Sequence, residues 1–335
     1  MWTRQFIVLA LAALCQCALA TDRQGRGGQG AARDTDIRGG GTAPEPDTPD
    51  DPDYSRYAVV GKSNWPRPDR PELVEKVYFK DGVRETRLRM HRDYLAYNDT
   101  RVPALTRLLQ QADRRLPLVV MVLNWGQAHL FFNWLCGVQA SGWDFVLKNT
   151  LVFAADETTL AEVGKHVACY RVGDNEIKHL PAEAARVFGD TTFGKIMMVK
   201  LGALYTSLVE LGFDVLYQDV DVVWNHNPLQ LFYKTPFKHR DVLFSYDGNM
   251  RQPPFYANAG FFFVRNTPKG RAFAEDWLYW WCAKGSTAVQ GVMNTILMHH
   301  YLVNDLAFEV LPTSVVPHPA DRRFRLGTSL GKELD

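Results

Sequence analysis

The sequence predicts an α/β fold whose central sheet is mostly parallel. Two runs of consecutive apolar residues, Leu118–Leu123 and Leu151–Ala155, have the length and composition of strands buried on both faces. Apolar residues at four-residue spacing between them predict a packed helix over Ala128–Ala140. A second helix, Gly194–Leu211, is followed by a glycine and then by an extended apolar segment, Phe213–Tyr217. Strand, helix and strand in this order are typical of a parallel sheet.

The composition excludes several classes of protein. The chain has 335 residues, with 38 basic and 37 acidic side chains and a formal net charge of +1, so no nucleic-acid partner is expected from its charge. Hydrophobic residues make up 46% of the chain, which is enough to bury a large core. A disordered chain is therefore excluded, and one or two domains are expected.

The first twenty residues have the features of a secretory signal. Arg4 precedes an apolar run, and the small-residue pattern Ala18-Leu19-Ala20 predicts cleavage after Ala20. The alternative is an uncleaved signal anchor, although Phe6–Ala20 is only fifteen residues long and a spanning helix needs roughly 20. We therefore expect a chain in the lumen of the secretory pathway or a secreted one, with membrane contact only if the segment is retained.

The rest of the chain divides into a linker and one domain. Residues 21–56 pass from a Gly/Arg-rich to a Pro/Asp-rich stretch with almost no large apolar side chains, which predicts a disordered stem. Residues 57–335 are expected to form a single domain with its core at about residues 117–320. Asn98-Asp99-Thr100 is an N-glycosylation sequon that is usable in a secreted chain.

The cysteines outside the leader do not define a metal site. Cys136, Cys169 and Cys282 are an odd number without the spacing of zinc ligands. Two alternatives stay open, a single disulfide or three buried thiols, of which the thiols are the commoner arrangement.

Two aspartates directly after the third apolar segment carry the most chemical information. In extended geometry Asp219 and Asp221 point to the same side of the chain, because successive side chains alternate. Two carboxylates beside an apolar core need solvent or a cation, and a hard divalent ion suits oxygen ligands. Such an ion could also bridge a diphosphate and offset its charge as a leaving group. The alternative is a pair of strand-end aspartates in solvent.

This pair lies within an ordered set of sequence blocks. The blocks are Asn124 and Asn133 with Asp156, then Lys200, Gly212–Leu216, Asp219–Trp224, Asn227–Leu229, Asn258–Arg265, Phe273 and Trp277. Together these blocks, spread between about Leu118 and Pro312, resemble the nucleotide-diphospho-sugar transferase family, which is found among eukaryotic Golgi glycosyltransferases and includes plant arabinosyl-, xylosyl- and galactosyltransferases.

The resemblance implies a fold and a reaction. The fold is the Rossmann-like GT-A type with a mostly parallel central sheet. The reaction is transfer of a sugar from a nucleotide-diphosphate donor, with retention of anomeric configuration, to a glycan, glycoprotein or polysaccharide acceptor. The cofactor is a divalent metal, Mn²⁺ or Mg²⁺, and the location is the secretory pathway, most often the Golgi lumen.

The resemblance also assigns residues to the metal and the nucleotide. Asp219 and Asp221 would form the metal and diphosphate site, with His318 as a third ligand. Asn124 and Asp156 would lie near the nucleotide, and Lys200 would offset phosphate charge. Alternatives from local structure remain, since an Asn is typical of turns, an Asp of helix caps and a Lys of exposed helix surfaces.

The second half of the domain contains the remaining candidates, Asn258, Gly260 and Asn294 for donor binding and Asp247 and Gln290 for catalysis. Gly260 would allow a sugar to approach closely, or it marks a bulge in the strand that begins here. Asp247 precedes a glycine, so it is either a ligand for donor hydroxyls or part of a turn.

One position departs from the family pattern. The family usually has an acidic residue before the Gln of its late helix, and here that residue is Val289. A nucleotide-sugar-binding protein with impaired catalysis is therefore an alternative to an active enzyme. A second alternative is a phosphatase of the haloacid-dehalogenase type, in which Asp219 would be the nucleophile and Asp221 the acid/base. That class would need its motif on the first strand of the core, whereas two strand units precede it here.

Overall fold

The structure is a computed structural model that describes residues 81–183, 191–247, 256–285, 288–311 and 316. The predicted leader and linker lie outside these ranges and stay predictions, as does the start of the domain at residue 57. Within these ranges no helix is both long enough and apolar enough to cross a lipid bilayer.

A single seven-stranded sheet organises the described chain. Its spatial order is β3-β2-β1-β4-β6-β5-β7. The strands are β1 (Leu118–Leu123), β2 (Thr150–Ala154), β3 (Ala168–Arg171), β4 (Val215–Gln218), β5 (Val242–Tyr246), β6 (Ala257–Val264) and β7 (Phe308–Val310). All neighbours are parallel except β6, which runs antiparallel to both β4 and β5. The predicted α/β fold with a mostly parallel sheet is confirmed.

Seven α-helices surround the sheet in the described ranges. They are α1 (Asp81–Ala96), α2 (Asn98–Leu108), α3 (Ala128–Ala140), α4 (Glu157–Val163), α5 (Thr191–Tyr205), α6 (Pro268–Lys284) and α7 (Val289–Asn304). The helix predicted over Ala128–Ala140 is α3 with the same bounds. The helix predicted over Gly194–Leu211 is α5 continued by a π-helical turn, Thr206–Glu210. Gly212 follows two residues later, and its φ of 72° is in the left-handed region that glycine accommodates.

Apolar side chains cover both faces of the sheet. All six residues of β1 are buried, with Leu118, Val120 and Val122 in one core and Val119, Met121 and Leu123 in the other. The first core is completed by side chains of α1, α2, α5, α6 and α7, and the second by α3. The continuous apolar runs therefore reflect burial from two sides, as in other sheets with helices on both faces.

The cysteines resolve the question that the sequence left open. No disulfide joins Cys136, Cys169 and Cys282. Cys169 and Cys282 are buried, but Cys136 is exposed on α3, so the expectation of three buried thiols is wrong at that position. Cys136 follows Leu135 on the helix and lies off the apolar stripe that packs on the sheet.

Candidate functional site

Sheet topology brings most of the predicted site residues to one edge. The strands β1, β2 and β4 are parallel neighbours, so their carboxyl ends meet there. Because β6 is antiparallel to β4, it begins at the same edge, and β5 ends there. The residues at these strand ends are Asn124, Asp156, Asp219, Asp247, Asn258 and Gly260. Ligands of open α/β sheets bind at this kind of edge.

Asp219 is the first residue after β4, and one of its two carboxylate oxygens is bound by two side chains of the protein. Its Oδ1 accepts hydrogen bonds from Lys200 Nζ at 3.0 Å and from the Tyr217 hydroxyl at 3.1 Å. Its backbone N–H donates to the Gly260 carbonyl at 2.6 Å, which fixes the residue against β6. The side chain is 43% exposed, so the carboxylate is anchored and still accessible from solvent.

Lys200 is buried in α5, where only 2% of its surface is exposed. The alternative of an exposed helix side chain is therefore wrong, because α5 packs on the sheet and directs this side chain beneath the end of β4. The ammonium group lies 4.2 Å from the centroid of the Tyr217 ring in addition to its contact with Asp219. A buried ammonium group is stable only with such partners.

Gly260 leaves room for the second oxygen of Asp219. A Cβ atom on this residue would lie 2.7 Å from Asp219 Oδ2 and 2.9 Å from Asn258 Oδ1, closer than side-chain carbons pack. The pairing of β5 with β6 shifts register between Phe244 and Ser245, so Gly260 also lies in an irregular part of the strand. The predicted bulge is thus present, and the group that lies close to Gly260 is a carboxylate of the protein; close approach of a sugar stays a prediction.

Asp221 is exposed two residues further along the chain. Partial desolvation, and then the negative charge of Asp219, raise the pKa of its carboxyl group above that of an ordinary aspartate. Two neighbouring carboxylates are a suitable oxygen donor set for a hard divalent cation. Across the described ranges no cluster of three or more His, Cys, Asp or Glu side chains could hold a metal ion. His318 lies outside the described residues, so its role as a third ligand stays a prediction.

Asn258 and Asp247 form a polar pair next to Gly260. Asn258 Nδ2 donates to Asp247 Oδ1 at 2.8 Å, and Asn258 Oδ1 accepts from the Gly260 N–H at 2.6 Å. Asp247 also donates its backbone N–H to the Tyr256 carbonyl at 3.2 Å. The structure therefore brings these three predicted residues together, with one Asp247 oxygen committed to Asn258.

Gln290 and Asn294 attach α7 to the start of β6. Gln290 Oε1 accepts from the Ala259 N–H at 3.0 Å, and the Asn294 amide both accepts from and donates to the backbone of Ala257 at 2.9 Å. Asn294 is 1% exposed. Both side chains position the strand that carries Asn258 and Gly260, and their predicted contacts with donor or acceptor stay predictions.

Val289, at the position where the family usually has an acidic residue, is buried. Its side chain is 4% exposed and belongs to the apolar core beneath α7. Its carbonyl accepts a hydrogen bond from Trp277 Nε1 at 3.3 Å. The side chain of residue 289 therefore contributes to packing in this chain.

Asn124 and Asp156 shape the loops beside the site. Asp156 caps α4 by accepting from the N–H and the hydroxyl of Thr159, both at 2.8 Å, and it also accepts from the Trp125 N–H at 2.8 Å. Asn124 Nδ2 donates to the carbonyls of Pro181 and Glu183 at 3.1 and 2.6 Å. The helix-cap alternative for Asp156 is thus confirmed, while contact of either residue with a nucleotide stays a prediction.

Tyr217 is the main participant that sequence reasoning missed. It lies in an apolar strand and is 2% exposed, so its residue type indicated only core packing. Its ring stacks on Phe262 with the centroids 5.1 Å apart, and its hydroxyl reaches Asp219. Its spacing of two residues from Asp219 was the available signal, because residues i and i+2 of a strand share a face.

Comparison with known families identifies one match. A family model described as nucleotide-diphospho-sugar transferase matches residues 146–329, which is more than half of the chain. The matched segment includes Lys200, Asp219, Asp221 and Gly260 but begins after β1. No curated protein and no solved structure matches the chain.

Proposed function

Because the chain belongs to the nucleotide-diphospho-sugar transferase family, which moves a sugar from a nucleotide-sugar donor, we propose that it is a metal-dependent, retaining glycosyltransferase. The observation that carries the site assignment is the divided environment of Asp219, with Oδ1 bound by Lys200 and Tyr217 and Oδ2 facing Gly260. Family membership excludes the phosphatase alternative.

The cation that we propose is Mn²⁺ or Mg²⁺, held by Asp219 and Asp221. The donor set fits such an ion, since both ligands are carboxylates and both are accessible from solvent. When bound, the ion would supply charge stabilisation to the diphosphate as it leaves.

The side chains around this pair suggest how a donor would be oriented. The buried ammonium of Lys200 adds positive charge beneath the carboxylates, which favours an anionic diphosphate over them. Asp247 and Asn258 lie at the start of β6 with carboxylate and amide groups suited to sugar hydroxyls. Departure of the nucleotide, with attack of an acceptor hydroxyl on the face that it leaves, retains the anomeric configuration.

The acceptor and the location rest on the sequence. We propose a hydroxyl of a glycan, glycoprotein or polysaccharide as the acceptor, in line with the resemblance to Golgi glycosyltransferases. The predicted signal in residues 1–20 supports the secretory pathway, with the Golgi lumen as the proposed site of action.

Donor turnover tests the proposal. A panel of uridine and guanosine diphosphate sugars would be incubated with the full chain and Mn²⁺, and nucleotide release followed with and without acceptor glycans. We expect one donor to be consumed, with activity lost on chelation and in the double variant Asp219→Asn/Asp221→Asn. Metal-independent turnover, or turnover that survives in the double variant, would overturn the assignment.

Val289 favours a second candidate, a protein that binds the donor without transferring its sugar. In this chain the position usually occupied by an acid is part of the core. Calorimetry with the same donors, beside the turnover assay, separates the two candidates, because metal-dependent donor binding without nucleotide release is the result expected of the second alone.

A further inference from the structure

We propose that Lys200 makes this site prefer a metal–diphosphate complex over a bare divalent cation, and that Tyr217 determines which oxygen of Asp219 faces the ligand. The inference rests on the proposed function, since it concerns the same site. Tyr217 is a positioning residue, because it acts through Asp219, whereas Lys200 acts on the bound ions through its charge.

The ammonium group of Lys200 is a fixed part of the site. It is buried, it lies 3.0 Å from Asp219 Oδ1, and the Tyr217 ring covers it at 4.2 Å. A charge enclosed in this way is screened far less by salt than a surface lysine, so it acts on any ion that binds above Asp219.

The charges of the three side chains determine the preference. Lys200, Asp219 and Asp221 together carry one net negative charge, so a bare divalent cation leaves the site with one excess positive charge. A diphosphate bound together with the cation makes the net charge of the site negative again, and the ammonium group attracts the diphosphate. Without Lys200 the two carboxylates would neutralise a bare cation completely, and the anionic diphosphate would lose an attractive charge.

The hydroxyl of Tyr217 acts differently because it is neutral. Together with Lys200 it binds Oδ1 of Asp219, and Oδ2 then faces Gly260, where the absence of a Cβ leaves space. Among the described residues, none donates a hydrogen bond to Oδ2. Loss of the hydroxyl would loosen the carboxylate without changing the charge, and so it would weaken both ligands alike.

The test compares two probes on the full chain, Mn²⁺ alone and the preformed Mn²⁺ complex of inorganic pyrophosphate. Free Mn²⁺ is measured by electron paramagnetic resonance and complex binding by calorimetry. For Lys200→Met we expect Mn²⁺ alone to bind about tenfold more tightly and the complex about tenfold more weakly. Tyr217→Phe should weaken both by about two- to fivefold, in keeping with the loss of one hydrogen bond.

Three further variants keep the result interpretable. Lys269→Met removes another buried lysine, whose Nζ lies 3.0 Å from Asp305 Oδ2 at the opposite edge of the sheet, and it should change neither affinity. Lys200→Arg keeps the charge and should keep the preference. Lys200→Gln provides a second neutral variant if Lys200→Met does not fold.

The outcomes distinguish this inference from the proposed function. If the neutral variants at Lys200 change both affinities in the same direction, or change neither, the preference does not come from the ammonium group and the inference is overturned, while the metal-dependent site stands. If the unaltered chain binds neither probe, the inference and the proposed metal site both fail.

Discussion

Two aspartates flank the central strand β4, and they differ in whether the second carboxylate oxygen accepts a hydrogen bond. Asp214 precedes the strand and Asp219 follows it, and each is bound by a tyrosine hydroxyl and a cationic side chain. At Asp214 these are Tyr233, at 2.9 Å, and Arg265, at 3.5 Å, and the second oxygen accepts from the Asn266 N–H at 2.7 Å. At Asp219 the tyrosine and the lysine share one oxygen, and the other accepts no hydrogen bond from a described residue.

This difference separates a structural carboxylate from a candidate ligand. The Asp214 side chain is 20% exposed and its oxygens bind neighbouring loops, so its charge stabilises the fold. The Asp219 side chain is 43% exposed and retains an oxygen beside a glycine. An ion pair between an aspartate and a buried cationic side chain therefore does not identify a functional site. An aspartate that is fixed through one oxygen, and whose other oxygen accepts no hydrogen bond from a described residue, is a candidate for ligand binding.

The largest effect on the Asp219 end of the strand is expected from Gly260→Ala. The new Cβ would lie 2.7 Å from Asp219 Oδ2 and would therefore displace the carboxylate from the position in which Lys200 and Tyr217 hold it. We expect the affinity for Mn²⁺ with uridine or guanosine diphosphate to fall by about 100-fold, as for a disturbed metal ligand. Calorimetry measures this loss, and Gly137→Ala on α3, where nothing lies within 4 Å of the new Cβ, is the control.

A substitution at Asp214 should lower the stability of the fold and should not affect binding of the metal and nucleotide. Asp214→Asn leaves Arg265, which is 10% exposed at its side chain, without its ionic partner, and we expect the free energy of unfolding to fall by about 2 kcal/mol. Guanidinium denaturation gives this value. Binding of Mn²⁺ with uridine or guanosine diphosphate should be unchanged in the folded Asp214→Asn variant, and a loss of binding there would remove the distinction between the two ends of β4.

A smaller loss of stability is expected at the end of the neighbouring strand β2. Asp156→Ala removes the cap of α4 and its bond to the Trp125 N–H, which should lower the free energy of unfolding by about 1 kcal/mol. Asp156→Asn can still cap the helix and should lose less. An Ala variant as stable as the unaltered chain would show that the cap contributes nothing.

The smallest effect should come from Asp221→Asn in the absence of metal. A raised pKa means that the folded state favours the protonated acid, so the stability gained from the proton is present at low pH and is lost as pH rises through that pKa. The Asn variant should therefore melt about 1 °C higher at pH 7, with the gain disappearing below about pH 4. A lower melting temperature at pH 7 would show that the charged form stabilises the fold.

Local patterns in the sequence were sufficient for the parallel part of the sheet. The apolar run Leu118–Leu123 is β1 with the same bounds, because burial on both faces requires an uninterrupted run of apolar residues. The order of strands and helices then predicted a mostly parallel sheet, in which neighbouring strands end at one edge. The two aspartates of the motif were identified by their alternation with Val220.

Contacts between segments that are far apart in the sequence could not be predicted in the same way. The antiparallel pairing of β6 with β4 brings Gly260 against Asp219, and no local pattern encodes that pairing. Lys200 was assigned an exposed helix surface as one alternative because its burial depends on which face of α5 packs on the sheet. Asp156 has the same residue type and strand-end position as Asp219, and only the tertiary structure shows that its oxygens cap a helix.

The most direct test of the account replaces each aspartate beside β4 by its neutral isostere. Binding of Mn²⁺ with uridine or guanosine diphosphate would be measured by calorimetry, and unfolding by denaturation, for Asp219→Asn and Asp214→Asn. We predict that Asp219→Asn abolishes metal-dependent binding, whereas Asp214→Asn binds normally while folded; both variants should be less stable, because each leaves a buried cationic side chain without its ionic partner. Metal-dependent binding that persists in Asp219→Asn would contradict the assignment of this strand end as the donor site.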